Sequence, residues 1–359
     1  MCIAFIDSWV QSSAEGSGTA VAIGGLRRAL RRRGIKVTRL APPSLRPANL
    51  MARRLMFNLY LPSLLRQIRY DLVVGFDIDG FMWSGRTGGV PFVSSIKGVL
   101  AEESRQEEGA PQRMLWRLSR LERQNVRSAA AVLATSEYCR EAIVRSYDVA
   151  AERVSVVPEG IDIERWRQIA RDEPRDSDGA TILCVARQYP RKHVVDLLRA
   201  LPAVRRAIPH AHVWVVGDGP EHGKLRAVAD ELQLGDGVRF FGAIPDDAQV
   251  ARMYRHADVF CLPSVQEGFG IVYLEAMASG LPIVATTAAA IPEVVPQDRA
   301  GTLIAPGDVA ALADALIVQL GDRALRERYG AFGRDYVARY DWDTVAGMFL
   351  DTVQPLVKG

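Results

Sequence analysis

The sequence predicts an α/β chain in two domains, each built on a parallel sheet wrapped by helices. Three observations lead there. At 359 residues the chain is long for one core and suits two domains of about 150 to 180 residues. Its opening, Cys2 to Leu40, reads as a strand, a glycine-bearing loop, a helix and a second strand. Ala257 to Ala285 in the second half reads on its own as strand, loop, helix and strand. Units of this kind build open sheets whose ligand crevice lies beyond the carboxyl ends of the strands.

Taken in order, Cys2 to Ile6 is apolar and short enough for one buried strand. The loop S-S-A-E-G-S-G-T-A carries Gly16 and Gly18 and leads to a helix from about Thr19 to Arg33, stopped by Gly34. Ile35 to Leu40 is the next strand. A dinucleotide-binding turn wants G-x-G-x-x-G here and an acidic residue about 20 positions on. Val21 stands at the third glycine position and the second strand carries Lys36 and Arg39, so a nicotinamide cofactor is not expected. The helix is basic, with Arg27, Arg28, Arg31, Arg32 and Arg33. So is Ala52 to Tyr70, where Arg53, Arg54, Arg66 and Arg69 mix with Leu55, Met56, Phe57, Leu59, Tyr60, Leu64 and Leu65. That segment, interrupted at Pro62, suits either an anionic membrane surface or an amphipathic helix with a solvated basic face.

Leu72 to Gly75 is a strand running into F-D-I-D-G-F-M-W, with Asp77 and Asp79, and Phe92 to Ile96 is another, ending at Lys97. Both loops lie at C-terminal strand ends, where these charges either meet a ligand or stand in water. Pro111 to Arg127 follows as a helix, then Ala130 to Thr135 and Val154 to Val157 as strands. P-E-G-I-D, with Glu159, reads as connection, and Arg171 to Gly179, R-D-E-P-R-D-S-D-G, is the best linker candidate.

In the second half, Thr181 to Ala186 is a strand followed by R-Q-Y-P-R-K-H. Arg187 and Lys192 on that short loop suit a diphosphate, the first as a fork and the second as a point charge, while Arg191 reads as solvated. His212 to Val216 runs into G-D-G-P at Gly217, and Val238 to Phe241 leads to Gly242 and Ala243. Val259 to Leu262 is a strand stopped by Pro263 and Ser264. After a loop of Glu267, Gly268, Phe269 and Gly270, helical spacing begins at Ile271, and Gly280 closes it. Two glycines let backbone approach a ligand, and a helix start presents N–H groups to anions. If Glu267 and Glu275 were both helical they would stand roughly 80° apart and about 12 Å along the axis. That spacing suits the two ends of one extended ligand, not a dyad sharing a proton. Pro306 to Gly321 and Asp322 to Tyr340 read as outer helices.

Hydrophobic content of 48% and charged content of 24% are ordinary for a soluble globular enzyme, and a net charge of +3 is too small to argue for nucleic acid. Cys2, Cys139, Cys184 and Cys261 form no C-x-x-C pair and read as reduced, mostly buried residues of a cytosolic protein. No apolar run approaches the ~18 residues that span a bilayer. The first ten residues lack a basic leader and read as a strand, not a signal peptide.

The stretch Ala257 to Val295 resembles the E-x7-E signature of the retaining GT-B glycosyltransferases of family 4 type, also called glycosyl transferases group 1. The resemblance rests on P-S-x-x-E-G-F-G from Pro263, on Glu275 with A-M-A-x-G-x-P-I-V-A-T, and on the closing I-P-E-V-V. It is dense from Thr181 to Val295 and thin before Pro158. It implies two Rossmann-like domains whose parallel sheets face a central cleft, at 1–165 and 166–340, with a final helix at about 341–359 crossing back onto the first. It implies retaining transfer of a sugar from a UDP- or GDP-type nucleotide sugar to a hydroxyl acceptor, whether glycan, lipid-linked or small molecule. Neither a metal nor a further cofactor is expected.

By the same resemblance, Gly16 and Gly18 close over the donor diphosphate, Arg187 and Lys192 hold it, Gly217 borders the nucleotide, and Phe241 and Ala243 hold the base. Gly268, Phe269, Gly270 and Ile271 line the donor, Glu267 holds its sugar and Glu275 the ribose hydroxyls. Asp77, Asp79 and Lys97 fall on the acceptor side. Relatives place a sugar-contacting histidine near Lys97, yet all five histidines here follow position 190. Lys97 therefore joins Glu267, Arg187 and Lys192 as a catalytic candidate. Glu159 stands where V-x-P-N-G-V-D has asparagine, and Ala186 where the loop has glycine. A GT-B epimerase, which needs acid–base groups in the first half, and a catalytically silent sugar-nucleotide-binding protein stay open as alternatives. A cytoplasmic location, with peripheral contact at the inner face of the membrane and no nucleic-acid partner, completes the expectation.

Overall fold

A computed structural model describes residues 1–9, 18–42, 50–66, 69–84, 88–172 and 180–358. Gly16 lies outside them. The chain opens with β1 (Cys2–Ile6), α1 (Gly18–Arg32), β2 (Lys36–Leu40), α2 (Leu50–Leu65), β3 (Leu72–Phe76) and β4 (Phe92–Ile96). It continues with α3 (Leu100–Glu103), α4 (Gly109–Ser128), β5 (Ala131–Ala134), α5 (Glu137–Tyr147) and β6 (Val154–Val156). Then come α6 (Ile163–Asp172), β7 (Thr181–Val185), α7 (Val194–Ala207), β8 (His212–Val216), α8 (His222–Glu231), β9 (Val238–Gly242) and α9 (Asp247–His256). The remainder is β10 (Val259–Leu262), α10 (Ile271–Ala278), β11 (Ile283–Thr286), α11 (Ile291–Val294), β12 (Gly301–Ile304), α12 (Val309–Gly321), α13 (Arg323–Tyr336) and α14 (Trp342–Lys358).

These elements form two compact units. One holds the described residues of Met1–Gln11 and Gly16–Gly160 together with Trp342–Gly359, and the other is Ile161–Asp341. The division falls at Gly160, ahead of the polar stretch that looked like a linker: Arg171 and Asp172 end α6, and residues 173–179 lie outside the described set.

Each unit has one six-stranded sheet, and all its pairings are parallel. The first runs β2-β1-β3-β4-β5-β6 and the second β12-β11-β10-β7-β8-β9. Every residue of β3, β4, β10 and β11 is buried, which is why β10 reads as an unbroken apolar run and not as alternation, while β4 buries Ser94 and Ser95 as well. Cys139, Cys184 and Cys261 are buried thiols. Strand order reverses between β1 and β3 in one sheet and between β7 and β10 in the other. At such a point the two loops leave their strands in opposite directions and open a crevice between them.

Helix ends follow local chemistry. After α10, Gly280 (φ 72°) donates its N–H to the Met277 carbonyl and Leu281 to that of Ala276, the paired bonds of a left-handed cap. Pro62 does not interrupt α2, which runs through it to Leu65. Phe57, Leu61 and Leu65 bury one face of that helix, and their packing outweighs the one backbone bond a proline forfeits. In the first unit, α14 packs on α1. The Trp342 ring fills the space where a Cβ on Gly25 would come within 2.2 Å, and a Cβ on Gly160 within 2.6 Å.

Candidate functional site

The second unit's reversal point gathers the predicted charges. Arg187 and Lys192 follow β7, and Ser264 and Glu267 follow β10. Backbone stitches the two loops together, with the Val265 N–H donating to the Arg191 carbonyl at 2.9 Å. Lys192 Nζ donates to Glu267 Oε1 at 2.5 Å, and Ser264 Oγ donates to the same oxygen at 2.9 Å. Both bonds end on Oε1, so Oε2 stays available, and the ammonium keeps two more N–H donors. Glu267 is 6% exposed and lies ahead of α10, not within it, so the helical spacing of the two glutamates does not apply. Arg191 is not fully solvated, since it lies 4.6 Å over the Tyr189 ring.

Gly270 has φ 91°, and a Cβ there would meet the Tyr273 ring at 2.5 Å, so both conformation and space demand glycine. It lets α10 start abruptly, with the Ile271 and Val272 amides among its unpaired leading donors. Tyr273 is fully buried and donates its hydroxyl to the Leu262 carbonyl at 3.2 Å, tying the helix to its strand. Phe269 is buried edge-on against Tyr340 at 5.6 Å, and Gly268 is half-buried between Glu267 and Phe269.

The β8 and β9 ends stand on the other side of β7. Gly217 donates its N–H to the Gly242 carbonyl and accepts from Gln188 Nε2, each at 2.8 Å, so its backbone is engaged within the fold. Gln188 Oε1 meets His222 Nδ1 at 2.8 Å. Register between β8 and β9 slips after Val215, pairing Val216 with Gly242 and leaving Phe241 as the extra residue. A bulge of this kind re-aims a side chain. Phe241 lies edge-on to Trp214 at 5.9 Å with Arg239 4.7 Å over its ring, and Ala243 beyond it is exposed.

Glu275 sits in the second turn of α10, half-buried, and its Oε2 accepts the Tyr254 hydroxyl at 2.9 Å. Burial holds its carboxyl up at about 7, against the lowering effect of that hydrogen bond.

The first unit's reversal point holds a closed polar network, not solvated loop charges. Asp79 is fully buried and accepts from the Ser8 N–H at 2.8 Å, Ser8 Oγ at 2.7 Å and Asn58 Nδ2 at 3.0 Å. Both of its oxygens are therefore used inside the fold, which leaves it little for an acceptor hydroxyl. Asp77 (φ 55°) accepts the Lys97 N–H on Oδ1 at 2.9 Å and Trp9 Nε1 on Oδ2 at 3.1 Å, and burial pushes its carboxyl up to about 6. The Lys97 side chain is only 7% exposed, its Nζ 2.9 Å from Glu159 Oε1 and 5.7 Å from the Phe76 ring centre. Glu159, read from sequence as connection, is thus the partner of the residue expected at the sugar. Gly18 begins α1 and is exposed.

Several site-shaping residues carry no sequence signal of their own. Asn125 Nδ2 donates to the carbonyls of Asp77 and Asp79 at 3.0 and 3.1 Å, Asn58 Oδ1 accepts the Gly80 N–H at 2.7 Å, and Arg54 lies 4.5 Å over the Trp9 ring. Each comes from an element distant in the chain. Among the described residues no three histidine, cysteine or acidic side chains form a metal-binding group.

Two family models match in tandem, Glycosyltransferase Family 4 over residues 16–165 and Glycosyl transferases group 1 over residues 166–336. A phosphatidyl-myo-inositol mannosyltransferase of Mycobacterium leprae is 39% identical over 196 residues, covering 54% of this chain and 51% of that protein. A GDP-mannose-dependent alpha-(1-6)-phosphatidylinositol monomannoside mannosyltransferase of Mycobacterium tuberculosis is 34% identical over 234 residues, 61% of this chain and 60% of its own. The chain thus spans between half and two thirds of the curated relatives it matches. In fold, sucrose-phosphate synthase of Thermosynechococcus elongatus superposes with a TM-score of 0.83 over 100% of this chain and 99% of that one, at 22% identity. With its paired parallel sheets, its two reversal points and both family models in sequence, the chain belongs to the GT-B glycosyltransferases of family 4, glycosyl transferases group 1.

Proposed function

We propose that the chain transfers a hexosyl group, with retention, from a nucleoside-diphosphate sugar to a hydroxyl acceptor. The observation that carries this reading is Glu267, held by Lys192 and Ser264 through one oxygen at the reversal point of the second sheet. Its free Oε2 suits a sugar hydroxyl. Arg187, the remaining Lys192 donors and the leading amides of α10 suit the diphosphate that leaves when the anomeric bond breaks, as electrostatic stabilisation of departing charge requires. With that charge supplied by side chains, the reaction runs without a metal. Glu275 holds the ribose hydroxyls and stands apart from Glu267, so no carboxylate pair is poised for double displacement. The acceptor hydroxyl attacks from the face the phosphate leaves, which preserves configuration. The curated relatives' names favour GDP-mannose as donor and a phosphoinositide-type lipid as acceptor. Glu267, Arg187 and Lys192 all being present argues against a silent binding protein.

A lipid-linked acceptor fits the surface of the first unit. On α2, Met56, Leu59, Tyr60 and Leu64 are exposed with no acidic residue on the helix, and on α4 Met114 and Trp116 are exposed beside Arg113, Arg117 and Arg120. Apolar side chains ringed by arginine complement an anionic bilayer.

The test is a thermal-shift panel of GDP, UDP, dTDP, ADP and NAD, followed by turnover of the matching sugar nucleotide with acceptor in anionic vesicles, with and without EDTA. A ligand at ~100 times its dissociation constant stabilises by about 2.7 kcal/mol. GDP is expected to shift melting, GDP-mannose to react in EDTA, and the product anomer to match the donor. A shift with NAD alone, or with no nucleotide, overturns the reading.

A further inference from the structure

Tyr254 was not singled out by any motif, yet its placement is tightly determined. It is fully buried, stacked on Phe260 at 5.5 Å and 22°, and met edge-on by Trp166 at 5.3 Å. Rings packed on two sides leave the phenol little freedom. Its hydroxyl emerges at Glu275 Oε2, 2.9 Å away, while the Val272 carbonyl at 3.5 Å is the weaker alternative acceptor. Among the described residues no other hydrogen bond reaches the Glu275 carboxyl, so Oε1 is unspent. The pair is therefore asymmetric, with one oxygen fixed by the fold and one left at a half-buried surface.

We propose that Tyr254 is a positioning residue for Glu275, pinning Oε2 so that Oε1 is presented to the vicinal diol of a nucleoside ribose. The inference rests on the donor reading given above and adds to it a dependence on acidity. Diol hydroxyls donate, so they need the carboxylate, whereas a protonated acid gives up an acceptor and turns one oxygen into a donor. Burial raises the Glu275 carboxyl to about 7. The Tyr254 bond and Arg165 of α6 pull it down, and Asp247 of α9 pushes it up. Arg165 and Asp247 pair with each other at 3.5 Å, so their effects on Glu275 offset in part. A ligand that selects the ionised form binds fully above that midpoint and loses affinity as pH falls below it, up to about tenfold per unit. Phenylalanine at 254 removes a bond that favours ionisation, so the midpoint moves up.

The experiment is calorimetric titration of GDP and UDP, and of their 2′-deoxy forms, into the wild-type chain, Tyr254→Phe and Glu275→Gln between pH 5.5 and 8.5. Wild-type affinity is expected to fall about tenfold from pH 8 to pH 6. Tyr254→Phe should weaken binding by about tenfold at pH 7, displace the curve to higher pH and shrink the preference for ribose over deoxyribose. Glu275→Gln should abolish that preference and leave only the pH dependence set by the ligand's own terminal phosphate. A Tyr254→Phe chain that melts lower but keeps the wild-type pH curve and ribose preference has lost only packing, and overturns the inference. If that variant does not fold, a Glu275→Gln chain with a wild-type curve overturns it equally. Binding by no wild-type sample at any pH would instead bring down the donor reading, and this inference with it.

Discussion

Replacing Lys192 with methionine keeps the apolar stem but removes the charge on which Glu267 depends. The carboxylate is then left buried with one hydroxyl partner, which costs about 3 kcal/mol. If Lys192 holds the diphosphate as proposed, kcat/KM is expected to fall about 10²–10³-fold. Thermal melting and steady-state rates check both. Glu267→Gln should spare most of the stability and lose the rate, and equal melting of wild type and Lys192→Met would show the pair to be solvated. That Lys192 and Glu267 come together could be read from sequence because each lies within a few residues of a strand end at neighbouring strands. The surroundings of Asp79 and Lys97 could not. Their partners Ser8, Asn58 and Glu159 stand 71, 21 and 62 positions away in the chain, and only the closed sheet brings them together. A lone charge in a strand-end loop reads as exposed until its long-range partner is known.

Helix ends show where local rules suffice. The α8 end repeats the bonding seen after α10: Gln233 donates to the Asp230 carbonyl and Leu234 to that of Ala229, with Gln233 at φ 52° and exposed. Glycine fills the equivalent place after α10 and after α1, where Gly34 has φ 77°. A left-handed backbone strains any residue with a Cβ. Gln233→Gly is therefore expected to stabilise by about 0.5–1 kcal/mol, measured by denaturant unfolding. A loss of stability would mean that the glutamine side chain holds something the cap geometry does not show. Strands β10 and β11 were readable for a related reason, since strands buried on both faces are mostly apolar. The bulge at Phe241 was not, because it depends on how β9 aligns with β8. Pro62 misled in the other direction, as a residue with a local penalty sat in a helix whose buried face compensates it.

At the scale of the whole chain, the two units invite separate tests. Trp342→Ala empties the space between Gly25, Gly160 and α14, within the first unit only. Removing a buried tryptophan costs about 3–5 kcal/mol. Scanning calorimetry should show one transition moving down while the transition of the second unit stays in place. Two transitions that shift together would show the units to unfold as one. The two-unit architecture was legible from length and from the strand–loop–helix order read in each half. The boundary that the resemblance placed after residue 165 lies five residues beyond the division at Gly160, since α6 packs on α9 and α10 of the second unit.

The return of α14 to the first unit also orders events during synthesis. The described part of the second unit, Ile161–Asp341, is one stretch of chain, so all of it can leave the ribosome and fold before α14 has been translated. The first unit begins earlier and finishes later. Its α1 face, with Gly25 open, waits uncovered through the translation of more than half the chain until Trp342 arrives. A ribosome that stalls late would therefore release a chain whose later half is folded and whose older half is not, with the α1 face at Gly25 left for chaperones to cover.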